Sequence, residues 1–281
     1  MNRIGTKASL VFALLLLTAC PGTRTGNPDQ SSLSVSLAMT GTTSTLVAQH
    51  SVFDKVLNFL VPFADAFRLM SLITDRAGHS VNMIDAFAGF AELEFELAGS
   101  AEETEVHFPG PYFVDLLATN PEVLGETELP SEGLKKIQMK LHKPEDDAVG
   151  YPAELSGKSI YLAGQVDAVA FSYSTAEESE FEMGGDNAIV PANSDSLLAV
   201  IKIGELIQSI DLTDLILAGD KDIDDGNRIP VNTVPNPCPA IVVNSPDLFT
   251  CFRDGLEVLN EFGKDSDGSG ELEDDEDSTD D

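Results

Sequence analysis

The sequence predicts a mainly β protein, an antiparallel β-sandwich with short helices, ending in a C-terminal amphipathic helix that leads into an acidic tail. Three observations carry that prediction. From Ser31 to about Leu217 apolar and polar residues alternate over short runs, the period of a strand with one wet and one buried face. Gly, Pro, Asn or Asp separate the runs, as turns require. So many strands with turn signals between them argue for a sandwich over parallel βαβ units.

Taken in order, the first strand is expected over residues 33–39. A helix follows, because Val52, Phe53, Val56, Leu57 and Leu60 keep helical spacing and Pro62 ends the run. Lys55 is the one cation on its polar side, so packing on the sandwich is favoured over lying on a membrane. Residues 69–74 form the next expected strand, and Asp75-Arg76-Ala77-Gly78 reads as a hairpin tip. In residues 91–97 Glu92, Glu94 and Glu96 alternate with Leu93, Phe95 and Leu97, the clearest strand in the chain. Further strands are expected at 112–117, 137–141, 159–166, 169–175 and 197–203, with Gly184-Gly185-Asp186-Asn187 as a loop tip. A short helix is expected over 204–210, and residues 218–244, rich in Asp, Asn and Pro, read as a connecting loop. The last helix is predicted over 245–263, with Ser245 as N-cap, Pro246 at the first helical position and Gly263 as C-terminal cap. Leu248, Phe252, Leu256 and Leu259 would form its apolar side.

The first residues give the chain an address. Arg3 and Lys7 precede a short apolar run ending in Leu17-Thr18-Ala19-Cys20. The run is too short to span a bilayer but has the length of a signal-peptide core. The tetrapeptide resembles a bacterial lipobox, which makes residues 1–19 a lipoprotein signal peptide and Cys20 the lipidated N-terminus of the mature chain. Diacylglycerol on the sulfur and a fatty acyl group on the amine would supply the multiple chains that stable anchoring needs. The competing reading is an ordinary secretory signal with a chance cysteine. Position +2 is Pro21, so the aspartate of inner-membrane retention is absent and an outer-membrane address is favoured. Residues 20–30 read as a flexible tether between the anchor and the sandwich at 31–217.

Charge excludes one large class of partner. The 281 residues hold 16 Lys+Arg against 48 Asp+Glu, a formal net charge of −32, and removing the leader makes it −34. Phosphate backbones need a basic footprint, so nucleic acid is ruled out as a partner. A surface this acidic also repels anionic headgroups, which leaves membrane attachment to the acyl chains.

Five stretches together carry a family resemblance: 91–97, Gly110-Pro111-Tyr112-Phe113 continuing to Leu117, Leu129-Pro130, 136–141, and Gly157-Lys158-Ser159-Ile160 continuing to Gly164. Their succession resembles a group of bacterial lipoproteins in which a transthyretin-like or carbohydrate-binding-like β-sandwich, a domain of unknown function, follows a lipobox. The resemblance covers roughly residues 30–215. It implies a fold and a location, and no catalytic residues.

The sharpest local motif lies at the C-terminus. Residues 265–276, Asp-Ser-Asp-Gly-Ser-Gly-Glu-Leu-Glu-Asp-Asp-Glu, resemble the twelve-residue EF-hand loop. Calcium is a hard cation that takes six to eight oxygen ligands. Asp265, Asp267 and Ser269 would give side-chain oxygens, Glu271 a backbone carbonyl, Glu273 a direct or water-bridged contact and Glu276 both carboxylate oxygens, with Gly270 at the sharp turn. Against this stands a plain acidic tail, since ten of residues 265–281 are Asp or Glu, Lys264 enters the loop and no exiting helix can follow Glu276. Asp220-Lys221-Asp222-Ile223-Asp224-Asp225-Gly226 begins similarly but lacks the central glycine and the closing glutamate, and reads as a solvated turn.

Cys238 and Cys251 remain after lipidation, and an exported compartment lets them pair as a disulfide clamping the Pro-rich loop to the last helix. Two buried thiols are the alternative. His50, His79, His107 and His142 show no metal spacing and read as loop or strand-edge residues. There is no nucleophile elbow, phosphate loop or Cys/His arrangement. The prediction is therefore a lipid-anchored, calcium-binding envelope lipoprotein acting as a binding or structural module toward an unidentified protein or polysaccharide, more a module than an enzyme. The alternatives are an envelope hydrolase or carbohydrate-active enzyme working through two sandwich carboxylates, and an adhesin or polysaccharide binder marked by exposed aromatics.

Overall fold

A computed structural model describes residues 32–41, 73–97, 105–130, 133–145, 150–189, 196–219, 222–232, 238–239, 242, 245–266, 269 and 272. The leader, Cys20, the tether, His50 and the expected helix at 52–60 lie outside the described residues. Within them the chain is mainly β, with two sheets, as predicted. The strands are β1 (Ser32–Gly41), β2 (Ile73–Thr74), β3 (Ser80–Leu97), β4 (Glu105–Asp115), β5 (Glu122–Pro130), β6 (Leu134–Leu141), β7 (Ile160–Val166), β8 (Val169–Thr175), β9 (Glu180–Ile189), β10 (Ser196–Ile201), β11 (Asp222–Ile223) and β12 (Asn260–Asp265). The helices are α1 (Ile203–Ser209), α2 (Thr213–Ala218) and α3 (Leu248–Val258). No helix among the described residues is long and apolar enough to cross a membrane.

The smaller sheet runs β12-β10-β1-β5, antiparallel except for the parallel β1/β10 pair. The larger sheet is organised by β3, whose 18 residues serve two sets of neighbours on one side. Its first half pairs with β7, from Val81↔Val166 to Ala88↔Ile160, and β8 and β11 follow. Its second half pairs with β6, from Phe90↔Leu141 to Leu97↔Leu134, and β9 follows. Between the halves the sheet forks at Gly89, whose N–H donates to the Ser159 carbonyl at 2.8 Å while its own carbonyl accepts from His142 N–H at 2.8 Å. A Cβ at this position would stand 2.4 Å from the His142 oxygen, so only glycine fits. On the opposite side of β3 lie β2 and β4. Pro109 and Pro111 are tolerated in β4 because, in the larger sheet, it pairs with β3 alone.

The alternation read from sequence sorts the faces correctly. Leu93, Phe95 and Leu97 are buried, and Phe95 meets Phe262 of β12 across the sandwich with ring centroids 6.2 Å apart. α3 covers the β8 end of the larger sheet, stacking Phe252 on Tyr173 at 5.0 Å and tilting Phe249 against it at 5.6 Å. Full burial of one such side chain contributes about 1.5–3 kcal/mol.

Four expectations are corrected. Gly184-Gly185-Asp186-Asn187 is not a loop tip but lies inside β9. Gly184, at φ 151, sits at a register shift where a Cβ would meet the Lys136 Cβ at 2.5 Å, so this glycine serves a bulge against β6. The last helix is shorter than 245–263 and is capped by Asp247, which accepts Thr250 N–H at 2.8 Å, rather than by Ser245. Val231 N–H donates to the Pro246 carbonyl and Leu248 N–H to that of Ile229, which holds 245–247 extended and delays the helix. Gly263, the expected helix cap, is instead the register partner of Leu198 in β12, because the open edge of β10 offers a full ladder and Phe262 a place in the core. Finally, β5 and α2 were not expected as separate elements.

Candidate functional site

The described part of the segment that resembles an EF-hand loop lies on the outer face of the smaller sheet. On that face Ser36, Ala38 and Thr40 of β1 stand in register with Ser196, Leu198 and Val200 of β10, and Ser196 in turn with Asp265 of β12. Asp265 ends β12 nearly buried, with 9% of its surface exposed, and its Oδ1 accepts the Ser269 N–H at 3.0 Å. Leu272 packs against Ala38, Leu198 and Val200. The first, fifth and eighth positions of the segment are thus tied to one another or to the sheet. The element entering it is a strand, not the helix of an EF-hand. Asp267, Gly270, Glu271, Glu273 and Glu276 lie outside the described residues.

Cys238 and Cys251 are joined as a disulfide, with Cα atoms 5.1 Å apart, and both are buried. The link fastens the Pro-rich connection to the first turn of α3. Arg76 adds a second fastening, donating from a guanidinium nitrogen to the Cys238 carbonyl at 2.8 Å. In the segment with the similar start, Asp224 Oδ1 accepts from Gly226 and Asn227 N–H at 2.7 and 2.9 Å, and Asp225 meets Arg228 at 2.6 Å. Those carboxylates serve a turn.

Among the described residues two groupings of metal-ligating type form across elements, and the sequence reading did not find them. In the first, Asp75, His79 and Asp211 meet where the β2–β3 turn touches the α1–α2 junction. Buried Asp75 is fully used: Oδ1 accepts His79 N–H at 2.7 Å, while Oδ2 takes the His79 ring Nδ1 and the Leu212 N–H, each at 2.9 Å. Asp211 Oδ1 accepts Thr213 N–H at 2.9 Å, opening α2. The Asp75 hydrogen bond holds the His79 imidazole above its ordinary pKa, with the charges of Asp167 and Asp211 acting the same way. This is a tie between two parts of the fold.

In the second, Glu92 and Glu94 on the wet face of β3 stand beside His107 on β4, the register partner of Glu94. His107 Nδ1 is 3.2 Å from Glu94 Oε1. A small depression next to it is lined by Glu92, Glu94, Gln138, Lys140 and Glu180. Further along the same face Lys136 reaches Glu96 and Glu182, both at 3.1 Å. Glu96 raises the Lys136 pKa, and Lys136 lowers that of Glu182. Sequence alternation showed the three β3 glutamates, but placing His107 beside them needs the hairpin register, which no local pattern encodes.

These features define a mainly β, two-sheet chain with a disulfide-fastened helix and, in the described part of its acidic C-terminal segment, Leu272 packed on one sheet. Comparison with protein-family models, curated proteins and solved structures finds no match.

Proposed function

We propose that this chain is a lipid-anchored binding or structural module of the bacterial envelope, held at the outer membrane through Cys20, whose C-terminal segment closes around Ca²⁺. The observation that supports this most is the fastening of the segment at both ends of its first eight positions. Asp265 folds back on the Ser269 N–H, and Leu272, the apolar position of an EF-hand-like loop, finds an apolar seat on Ala38, Leu198 and Val200. A loop so held spends less conformational entropy when a cation gathers its oxygens than a free polyanion would. The hard-oxygen donor set selects Ca²⁺, in the weak extracellular class of ~10⁻⁴–10⁻³ M.

Calorimetric titration of the full chain with Ca²⁺ at moderate salt tests the reading. Glu276→Gln removes the bidentate ligand that closes the loop and is expected to weaken binding far more than Asp280→Asn, which lies outside it. Diffuse attraction depends on total charge and is screened by salt, so equal losses in the two variants, or no saturable site to several millimolar, would leave a solvated acidic tail.

A further inference from the structure

We propose that Glu92, Glu94 and His107 form a second cation site, on the outer face of the larger sheet, selective for a divalent transition ion such as Zn²⁺ rather than Ca²⁺. The placement follows from strand geometry. Residues two apart on a strand share a face, so Glu92 and Glu94 project to the same side of β3. Residues directly opposed on paired strands bring their Cβ atoms to about 5 Å, which sets His107 of β4 beside Glu94. One donor atom from each side chain then falls within 4.8 Å of the other two. Zinc takes nitrogen and carboxylate oxygen at about 2.0–2.2 Å, so a modest swing of the two flexible glutamates closes the donors on an ion. The sheet backbone supplies the rigidity.

Charge singles out this part of the face. Around Glu96 and Glu182 a lysine already sits at 3.1 Å from each carboxylate. Around the depression Glu92, Glu94 and Glu180 face Lys140, which is no nearer to Glu92 than 3.9 Å. Carboxylates there outnumber the cations of the described residues, and a divalent ion balances them while using the imidazole. The donors are also open to water, with side-chain exposures of 55% for His107, 26% for Glu94 and 36% for Glu92, so remaining coordination positions face solvent or a ligand. The grouping at Asp75 differs on this point, since its carboxylate oxygens are consumed by N–H donors. An imidazole with two carboxylates suits zinc and its neighbours, whereas Ca²⁺ and Mg²⁺ prefer oxygen alone. The two sites therefore take different ions, and this proposal stands apart from the calcium reading.

Zn²⁺ titration of the purified full chain in several millimolar Ca²⁺, followed by calorimetry and by the His107 ring resonances, tests it. One saturable equivalent is expected, with the His107 ring shifting as it fills. His107→Ala and Glu94→Gln should each weaken it at least tenfold, Glu180→Gln on the same face less than twofold, and Glu276→Gln not at all. All four positions are compared after circular dichroism has shown the variants folded. Absence of a saturable equivalent, an unmoved His107 ring, an equal loss in Glu180→Gln, or displacement of Zn²⁺ by Ca²⁺ would overturn the site.

Discussion

At the scale of single residues the carboxylate of Asp75 gathers the turn before β3 and the junction before α2 through His79 and Leu212. His79 has its pKa raised in the fold, first by the hydrogen bond its ring donates to Asp75, so the protonated form is favoured more in the native state than in the unfolded chain. A group with a raised native pKa contributes its stability in full below its unfolded value, about 6.5, and loses it as pH rises through the native value. Urea unfolding across that range should therefore find His79→Asn less stable than the parent at the acid end. The gap should close above the raised pKa, and a gap constant with pH would mean that the charge on His79 contributes nothing. The signal for this pair was partly legible, since Asp75-Arg76-Ala77-Gly78 reads as a turn. What the turn touches, 137 positions away at Leu212, was not.

Among the elements, β3 and α3 set the plan. The fork in the larger sheet turns on Gly89, where the His142 carbonyl just past the end of β6 approaches too closely for a side chain. Gly89→Ala should cost about 1–3 kcal/mol in urea unfolding, the range for overfilling a tight site. α3 is held by its packing on Tyr173 and by the disulfide across a sequence separation of 13. Closing a loop of that size contributes about 3 kcal/mol in the chain-entropy account. Replacing both Cys238 and Cys251 with alanine should lower the unfolding free energy by about 2–4 kcal/mol. Peptide mass mapping without reductant should find the two cysteines joined in the parent, and a double variant as stable as the parent would show that the link does not constrain the unfolded chain. The helix itself was legible from Leu248, Phe252 and Leu256, whose burial keeps its period. Its ends were not, because Asp247 and the β12 ladder were chosen by partners at Pro230 and on β10.

For the whole molecule, the −32 net charge and the acyl-anchor reading belong together, because an acidic surface has no electrostatic attraction to anionic lipid. Cys20→Ser is expected to move the protein from the membrane fraction to the soluble fraction, or to leave the leader unprocessed, since in the proposed anchor the diacylglycerol is carried on that sulfur. Normal processing with full membrane retention would contradict the lipid anchor.

The faces of the strands that alternation marks, the class of the fold and the candidate ligands of the tail could be named along the chain, because alternation and loop spacing are local properties. Glu92, Glu94 and Glu96 with Leu93, Phe95 and Leu97 are the plainest case. Partnership could not be read that way. That one 18-residue strand would serve β7 and β6 in turn, that Gly184 would sit within a strand, that residues 260–265 would leave the helix to pair with β10, and that His107 would land beside Glu94 all depend on register between distant segments. Register is settled by which backbone edges and apolar faces remain open once the two sheets have met, and that condition exists only in the folded chain.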